Sequence, residues 1–276
     1  MVPGPMRRKG DARGARVSEG EDRMSAIWLA ANGGNEHIEA LLASGAVHVD
    51  RIKVGSWMSD VQLAAHPVLL HISRGVIWPR GGRWIAEQVR LTRQVDAPWA
   101  SVHLDIALPY AIYRWPLTAL LPRALAARWA VRTLRRWTAQ SPVPLLAENM
   151  PPWKRDRPAY VVDPAFITRV IEGAGCGLLL DLAHARVSAH RREQPARDYV
   201  ARLPLDRLTE IHVSGPRPSP ADGRLLDAHE PLQEEDYALL AWVLERAQPQ
   251  AVTLEYDRDL AQLEAQLLRL QAVLGR

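Results

Sequence analysis

Residues 177–184 read GLLLDLAH: three leucines run without a break into Asp181, and His184 follows three positions later. A short, wholly apolar run of this kind is a strand buried on both faces, the type found in parallel sheets. A polar residue at the end of such a strand faces a cleft, because the faces themselves are covered. The same pattern recurs as VLLH (68–71), ASVH (100–103), PLLAE (144–148), TEIH (209–212) and AVTLE (251–255), each closing on His or Glu. Six such ends from distant parts of one chain meet only if the sheet closes on itself, as a parallel barrel does at its C-terminal mouth.

Working outward, the strand candidates are 26–31, 48–54, 68–73, 99–106, 144–148, 176–182, 208–214 and 251–256. The segments between them carry helical periodicity, clearest in 79–95, 115–139, 232–247 and 259–274. In the last of these, Leu260, Leu263, Leu267, Leu270 and Val273 repeat at three- and four-residue steps, and Asp259 is placed to cap the helix. Alternation of β and α at this length predicts an α/β protein, a single (β/α)8 TIM barrel. The competing architecture is an open doubly wound sheet, which normally shows a Gly-rich phosphate turn after its first strand. AANGGNEH (30–37) is only a weak imitation of that turn.

Residues 1–24 are rich in glycine, arginine and charge, lack the apolar core of a signal peptide, and read as a disordered extension; 25–276 make the barrel. The apolar stretch Leu108–Val131 is broken by Arg114, Arg123 and Arg128, so no membrane span is expected. The chain holds one cysteine, Cys176, which rules out an internal disulfide and a cysteine-based zinc site and fits a reducing, cytoplasmic setting. Its net charge of +4 is mildly basic. Arginines on solvated helix faces account for that balance, so nucleic acid is not the expected partner. The Trp- and Arg-rich stretch 108–140 reads either as an outer helix with its arginines in water or as a lid or docking surface. The Pro- and Gly-rich stretch 214–226 reads as a loop leading to Asp227 and His229.

Nine side chains form the candidate metal set: His71, His103, Glu148, Asp181, His184, His212, Asp227, His229 and Glu255. Carboxylates and imidazoles suit iron(II), zinc or manganese, and no thiolate biases the site toward a softer ion. Nine donors exceed the needs of one ion and suffice for two or three. Any one of these histidines is as readily an ordinary hydrogen-bonded residue; the joint pattern at six strand ends is what that reading does not cover. Asp181 and His184 are three apart as the strand gives way to a loop, and Asp227 and His229 are two apart, on one side of an extended segment. Glu148, midway along the set, is the natural bridge, and Glu148, Asp181 and His212 are the candidate catalytic residues. With Glu255 these three make the kind of set by which barrel sugar isomerases and epimerases hold a single divalent ion; the other five argue for more. Lys53 and Asn32 are expected at the mouth, as substrate contacts or, for Lys53, in a salt bridge. His37, His48, His66 and His190 are read as structural or surface residues. Cys176 opens its strand, which places it on the opposite, stability face and excludes it as a nucleophile.

The run GLLLDLAHARVSAH, then LPLDRLTEIHVSG, LLDAHEPL and LEYDRDL, resembles the multinuclear non-haem iron-dependent oxidative enzymes, a barrel family that includes the iron oxidase of methanobactin biosynthesis. LLAENMP (145–151) is similar to the family's Glu-Asn strand end and SVHL (101–104) to its preceding His strand, so the resemblance covers roughly 66–265. It implies that the nine residues above hold two or three iron ions that activate oxygen. It also implies that the substrate is a thiol, on a cysteine-containing peptide or a small molecule, with a partner protein presenting the peptide. The same ligand order is similar to that of endonuclease IV-like barrels, which would imply three zinc ions and phosphodiester cleavage. A single-metal isomerase or epimerase is the third reading.

Overall fold

The computed structural model describes residues 26–55, 66–77, 81–106, 120–152 and 158–276. The expected N-terminal extension (1–24) and residues 107–119 of the Trp- and Arg-rich stretch lie outside them.

Eight strands form the wall: β1 (Trp28–Asn32), β2 (Arg51–Gly55), β3 (Val68–Gly75), β4 (Ala100–His103), β5 (Leu145–Glu148), β6 (Gly177–Asp181), β7 (Leu208–Val213) and β10 (Ala251–Leu254). They pair in parallel and in chain order, and β10 pairs with both β7 and β1, closing the barrel. Each expected strand is present with its ends within three residues of those read from the sequence: most are shorter, while β1, β2 and β3 run one or two residues further at the C-terminal end. The helices are α1 (Glu36–Ser44), α2 (Gly82–Gln94), α3 (Arg123–Thr138), α4 (Pro164–Ala174), α5 (Leu182–Arg191), α6 (Ala196–Val200), α7 (Glu234–Leu244) and α8 (Leu260–Val273). β8 (Gly215–Pro218) and β9 (Leu225–Glu230) form a separate antiparallel hairpin after β7.

Alternation along the strands explains why their sequences look uniformly apolar. Leu29, Ile52, Leu70, Val102, Leu145, Leu178, Ile211 and Val252 point outward into the main core shared with the helices. Ala30, Leu69, Trp99, Leu146, Leu179 and Ala251 point inward as a small second core, with Trp28 against it. Trp28 and Trp99 stack at 5.7 Å between centroids, and the Arg51 guanidinium lies 4.0 Å over the Trp28 ring. Both faces are therefore covered, and only the inward residues near the strand ends are free to be polar.

Local signals end and begin the helices as their sequences suggest. Asp259 accepts from the Gln262 amide at 2.8 Å, the expected cap of α8, and Asp163 accepts from the Ala165 amide at 3.0 Å ahead of Pro164 in α4. Gly175, at φ 70°, terminates α4 in the left-handed conformation and turns the chain into β6.

Candidate metal centre

All nine expected side chains converge at one end of the barrel. β3, β4, β5, β6 and β7 deliver His71, His103, Glu148, Asp181 and His212; Glu255 follows β10 directly. His184 lies in the first turn of α5, because β6 passes straight into that helix and not into a loop as expected. Asp181 is its N-cap and accepts from the His184 amide at 2.7 Å. Asp227 and His229 come from β9, so the stretch taken for a loop is a hairpin that carries two of the set. Their two-residue spacing puts His229 Nε2 3.4 Å from Asp227 Oδ2. His229 holds a positive φ of 48°, rare for a residue with a side chain. Arg258 brackets it, donating to Ala228 O at 2.6 Å and pairing with Glu230.

Glu148 is buried at the middle and its two oxygens face different neighbours. Oε2 lies 3.5 Å from both His71 Nε2 and His103 Nε2. Oε1 lies 3.2 Å from His184 Nδ1 and 4.0 Å from His212 Nδ1. His212 Nδ1 is 3.0 Å from Glu255 Oε1, and His184 Nε2 is 3.2 Å from Asp227 Oδ2. Three groups of donor atoms fall within 4.8 Å of one another: His71, His103 and Glu148; Glu148, Asp181 and His184; Asp181, His212 and Glu255. Glu148 is common to the first two and Asp181 to the last two.

The layer beneath decides which ring nitrogen each histidine offers. Glu210, two residues before His212 and on the same side of β7, is fully buried. As a carboxylate it only accepts: from Lys53 Nζ at 2.6 Å, Thr253 Oγ1 at 2.7 Å, Trp99 Nε1 at 2.7 Å and His212 Nε2 at 3.2 Å. The neutral His212 ring therefore keeps its proton on Nε2, so that a ligating His212 turns its Nδ1 lone pair to the cluster. Ser101 Oγ donates to Leu70 O at 3.2 Å and receives from Lys53 Nζ at 3.1 Å. It accepts from His71 Nδ1 at 2.9 Å, which leaves Nε2 facing Glu148. His184 Nδ1 donates to Asn149 O at 2.9 Å, leaving Nε2 toward Asp227. Asn149 itself is clamped to the Asp181 backbone in both directions, at 2.9 and 3.0 Å.

For Lys53 the salt-bridge alternative is the one observed: its ammonium pairs with Glu210, buried below the mouth and not at it, because β2 runs on to Gly55. Asn32 does end β1. Cys176 precedes β6, buried away from the cluster, and burial pushes its thiol up to about 12, which is no nucleophile. His48 pairs with Asp50 at 3.3 Å and His190 sits on the exposed side of α5. Glu210, Ser101 and Thr253 were not singled out from the sequence; their two-residue offset from His212, His103 and Glu255 was the available signal.

Electrostatics fit a cation site. Burial drives the His71 imidazole down to about 3, only partly opposed by Glu148. Burial also works against charge on His212, but the Glu255 carboxylate outweighs it and raises that ring to about 10. The hydrogen bond to Asp227 raises His229 to about 9. Burial, with three other carboxylates nearby, lifts Asp181 to about 7, whereas the cluster histidines hold Glu148 well below the usual range despite its burial. Glu148 Oε2, Asp181 Oδ2, Asp227 Oδ1 and His212 Nδ1 are buried yet lack a hydrogen-bond partner; the last faces Glu255 without hydrogen-bonding geometry. Unpaired buried polar atoms are costly. Four of them aimed into one cluster of hard oxygen and imidazole donors match what bound divalent cations would satisfy.

Residues 39–274 match the family described as RiPP precursor modification enzyme MbnB/TglH/ChrH, whose members act on ribosomally made precursor peptides. The chain belongs to this family. The match begins earlier than the resemblance over 66–265, taking in β2 and most of α1. A UPF0276 protein of Bordetella parapertussis is 37% identical over 244 residues, covering 83% of this chain and 84% of the relative. Among solved structures, a D-tagatose 3-epimerase-like protein superposes with a TM-score of 0.62 at 11% identity, over 90% of this chain and 97% of that one. A xylose isomerase-like TIM barrel protein from Mycobacterium smegmatis, in complex with magnesium, gives 0.54 at 15% identity, over 90% and 96%. At such identities these neighbours show the fold alone, a xylose isomerase-like TIM barrel. As a RiPP precursor modification enzyme, the protein takes a peptide as its substrate. Among the described residues no helix is long and apolar enough to cross a membrane.

Proposed function

We propose that this enzyme is a multinuclear non-haem iron oxidase that uses oxygen to oxidise a thiol of its peptide substrate. The observation that carries the multinuclear part is that Glu148 belongs to two donor groups, one with His71 and His103 and the other with Asp181 and His184. His71, His103, Glu148, Asp181, His184, His212, Asp227, His229 and Glu255 would hold two or three ions, with Glu148 and Asp181 shared. Iron bound there would pass electrons from the thiol to oxygen and offer a positive centre for the thiolate. The chain's own part is to place charge and lone pairs. Glu148, Asp181, Asp227 and Glu255 bring four negative charges. Two divalent ions neutralise these, and a third leaves an excess of positive charge that favours an anionic group such as a thiolate. The cluster opens to solvent at His229, whose side chain is 40% exposed, and at His103, 23% exposed. A peptide side chain reaches the ions from that side, while the buried His71, His212 and Asp181 keep water from the other.

Protein loaded with iron without air is expected to carry at least two metal equivalents and to consume oxygen when a thiol is added. Zinc-loaded protein should do neither oxidation nor turnover. One equivalent or fewer after full reconstitution points to a single-metal epimerase-like site; cutting of abasic DNA by the zinc form without oxygen points to the endonuclease-like chemistry. Either result removes this proposal.

Proton release gives a second test. His212 and His229, raised to about 10 and about 9, carry protons at pH 7 in the metal-free chain, and a ligating imidazole must lose its proton. Burial works against charge on His184 as well, but the carboxylates around it hold that ring well above the ordinary range. Metal loading at pH 7 should therefore release about three protons per chain from the three rings, with a further fraction from Asp181, read by calorimetry in buffers of different ionisation enthalpy. The folded-state values of His212 and His229 both lie above the unfolded value of about 6.5. Their contribution to stability is therefore full below that value and fades as pH rises toward 9–10. The metal-free protein should lose melting temperature across that window, and the loaded protein should not. A flat profile in the metal-free protein would show that these rings are not charged there.

A further inference from the structure

On the outside of the barrel, α3 and α4 enclose a groove of about 1040 Å3 rimmed by Arg128, Arg132, Arg135, Arg136 and Arg169. We propose that this groove docks an acidic segment of the peptide substrate, at a distance in sequence from the residue that is modified. The inference rests on the peptide substrate of the family and not on the metal chemistry.

Charge is the first argument. Several arginines elsewhere are paired, Arg123 with Asp163, Arg186 with Glu235 and Asp236, Arg269 with Glu234 and Arg276 with Asp50, while others, such as Arg93 and Arg202, have no carboxylate partner among the described residues but are not gathered in one groove. The five in the groove have no carboxylate partner among the described residues. α3, RALAARWAVRTLRRWT, contains no acidic residue at all. Arg128, Arg132 and Arg136 follow at four-residue steps, so like charges stack along one face, a spacing that destabilises a helix unless an anion neutralises it. A merely solvated face has glutamates interleaved at that spacing; this one has none.

Shape is the second. At about 1040 Å3 the groove lies at the upper end of the roughly 300–1,000 Å3 range of ligand sites, room enough for a length of chain. Its floor is low, because the helices meet closely at Gly173, where an added methyl would sit 3.0 Å from Val131 Cγ2. A peptide backbone can lie there between guanidinium groups that grip carboxylates in bidentate fashion. No aromatic ring lines the groove, and Trp137 of α3 is buried against Trp84 of α2, so the stacking platforms of single-stranded nucleic-acid sites are absent from its described lining.

The test uses the full-length, metal-loaded protein and a fluorescein-labelled peptide of about a dozen residues, half of them glutamate, followed by anisotropy at about 50 and 200 mM salt. Arg132→Glu with Arg135→Glu should weaken binding about tenfold or more at the lower salt. Arg93→Glu with Arg202→Glu, exposed near the end of α2 and in the turn after α6, makes the same change in net charge and should leave binding within about twofold. Arg132→Lys with Arg135→Lys keeps the charge but loses the planar fork and should fall between. Metal content and melting temperature should be unchanged in all three, which separates this proposal from the metal reading: loss of metal would fault the site, not the groove. Equal weakening by the two charge-reversed pairs, or tighter groove-dependent binding of an RNA oligomer of the same charge, would overturn the docking proposal.

Discussion

Glu148→Gln is expected to lose more than one metal equivalent and all turnover while the barrel stays folded. Gln keeps the shape of the side chain and removes its charge. At this position the charge is shared, since Glu148 belongs to two donor groups. An imidazole or amide cannot neutralise two cations or fix their separation. The fall in affinity should exceed the roughly 10–100-fold that follows removal of an outer partner of a metal ligand. His71→Ala is the contrast: it belongs to one group only and should loosen mainly one ion. The metal-free melting temperature of Glu148→Gln should stay near wild type, because Glu148 lies at the mouth and the outward strand residues carry the main core. Metal stoichiometry and melting on the same preparations decide the matter. Full metal content with full turnover in Glu148→Gln would demote Glu148 to a polar strand end.

The second large effect is on stability. Lys53→Met leaves Glu210 without its counter-ion inside the barrel, where both partners are buried. Removing one member of a buried ion pair costs about 3–5 kcal/mol. For a domain of this size that is a fall of roughly 6–20 °C in melting temperature. The double change Lys53→Met with Glu210→Gln removes both charges and should melt well above the single variant, since an isolated charge is worse than none. It should still bind metal more weakly than wild type, because Glu210 also sets which nitrogen of His212 faces the cluster. A single variant that melts within about 2 °C of wild type would show that the pair is not what holds this layer.

How much of this was legible follows from the range of each physical signal. Strand ends were readable because a both-faces-buried strand must be apolar until it reaches the mouth, so LLAE and GLLLD announce both the element and the residue that ends it. The cap at Asp259 and the helical repeats are likewise local. The stretch 214–226 was read as a loop because proline and glycine mark turns, yet its two flanks pair across the turn, with Arg217 opposite Leu226. Pairing is a relation between segments, and neither flank carries the apolar alternation that would reveal a strand on its own. Lys53 was placed at the mouth because a strand boundary cannot be read to within two residues.

The amino-acid sequence by itself determined the eight strands, their order and the six polar side chains at or near their mouth ends, because burial dictates composition one residue at a time. Only the tertiary structure decided that Glu148 and Asp181 are shared between donor groups and that Glu210 and Ser101 fix the faces of His212 and His71. It alone brought the arginines of α3 beside Arg169 of α4. Those relations depend on register across a closed barrel and on which helices lie side by side, and they join residues up to 157 positions apart, as Lys53 and Glu210 are. No local pattern encodes such a distance.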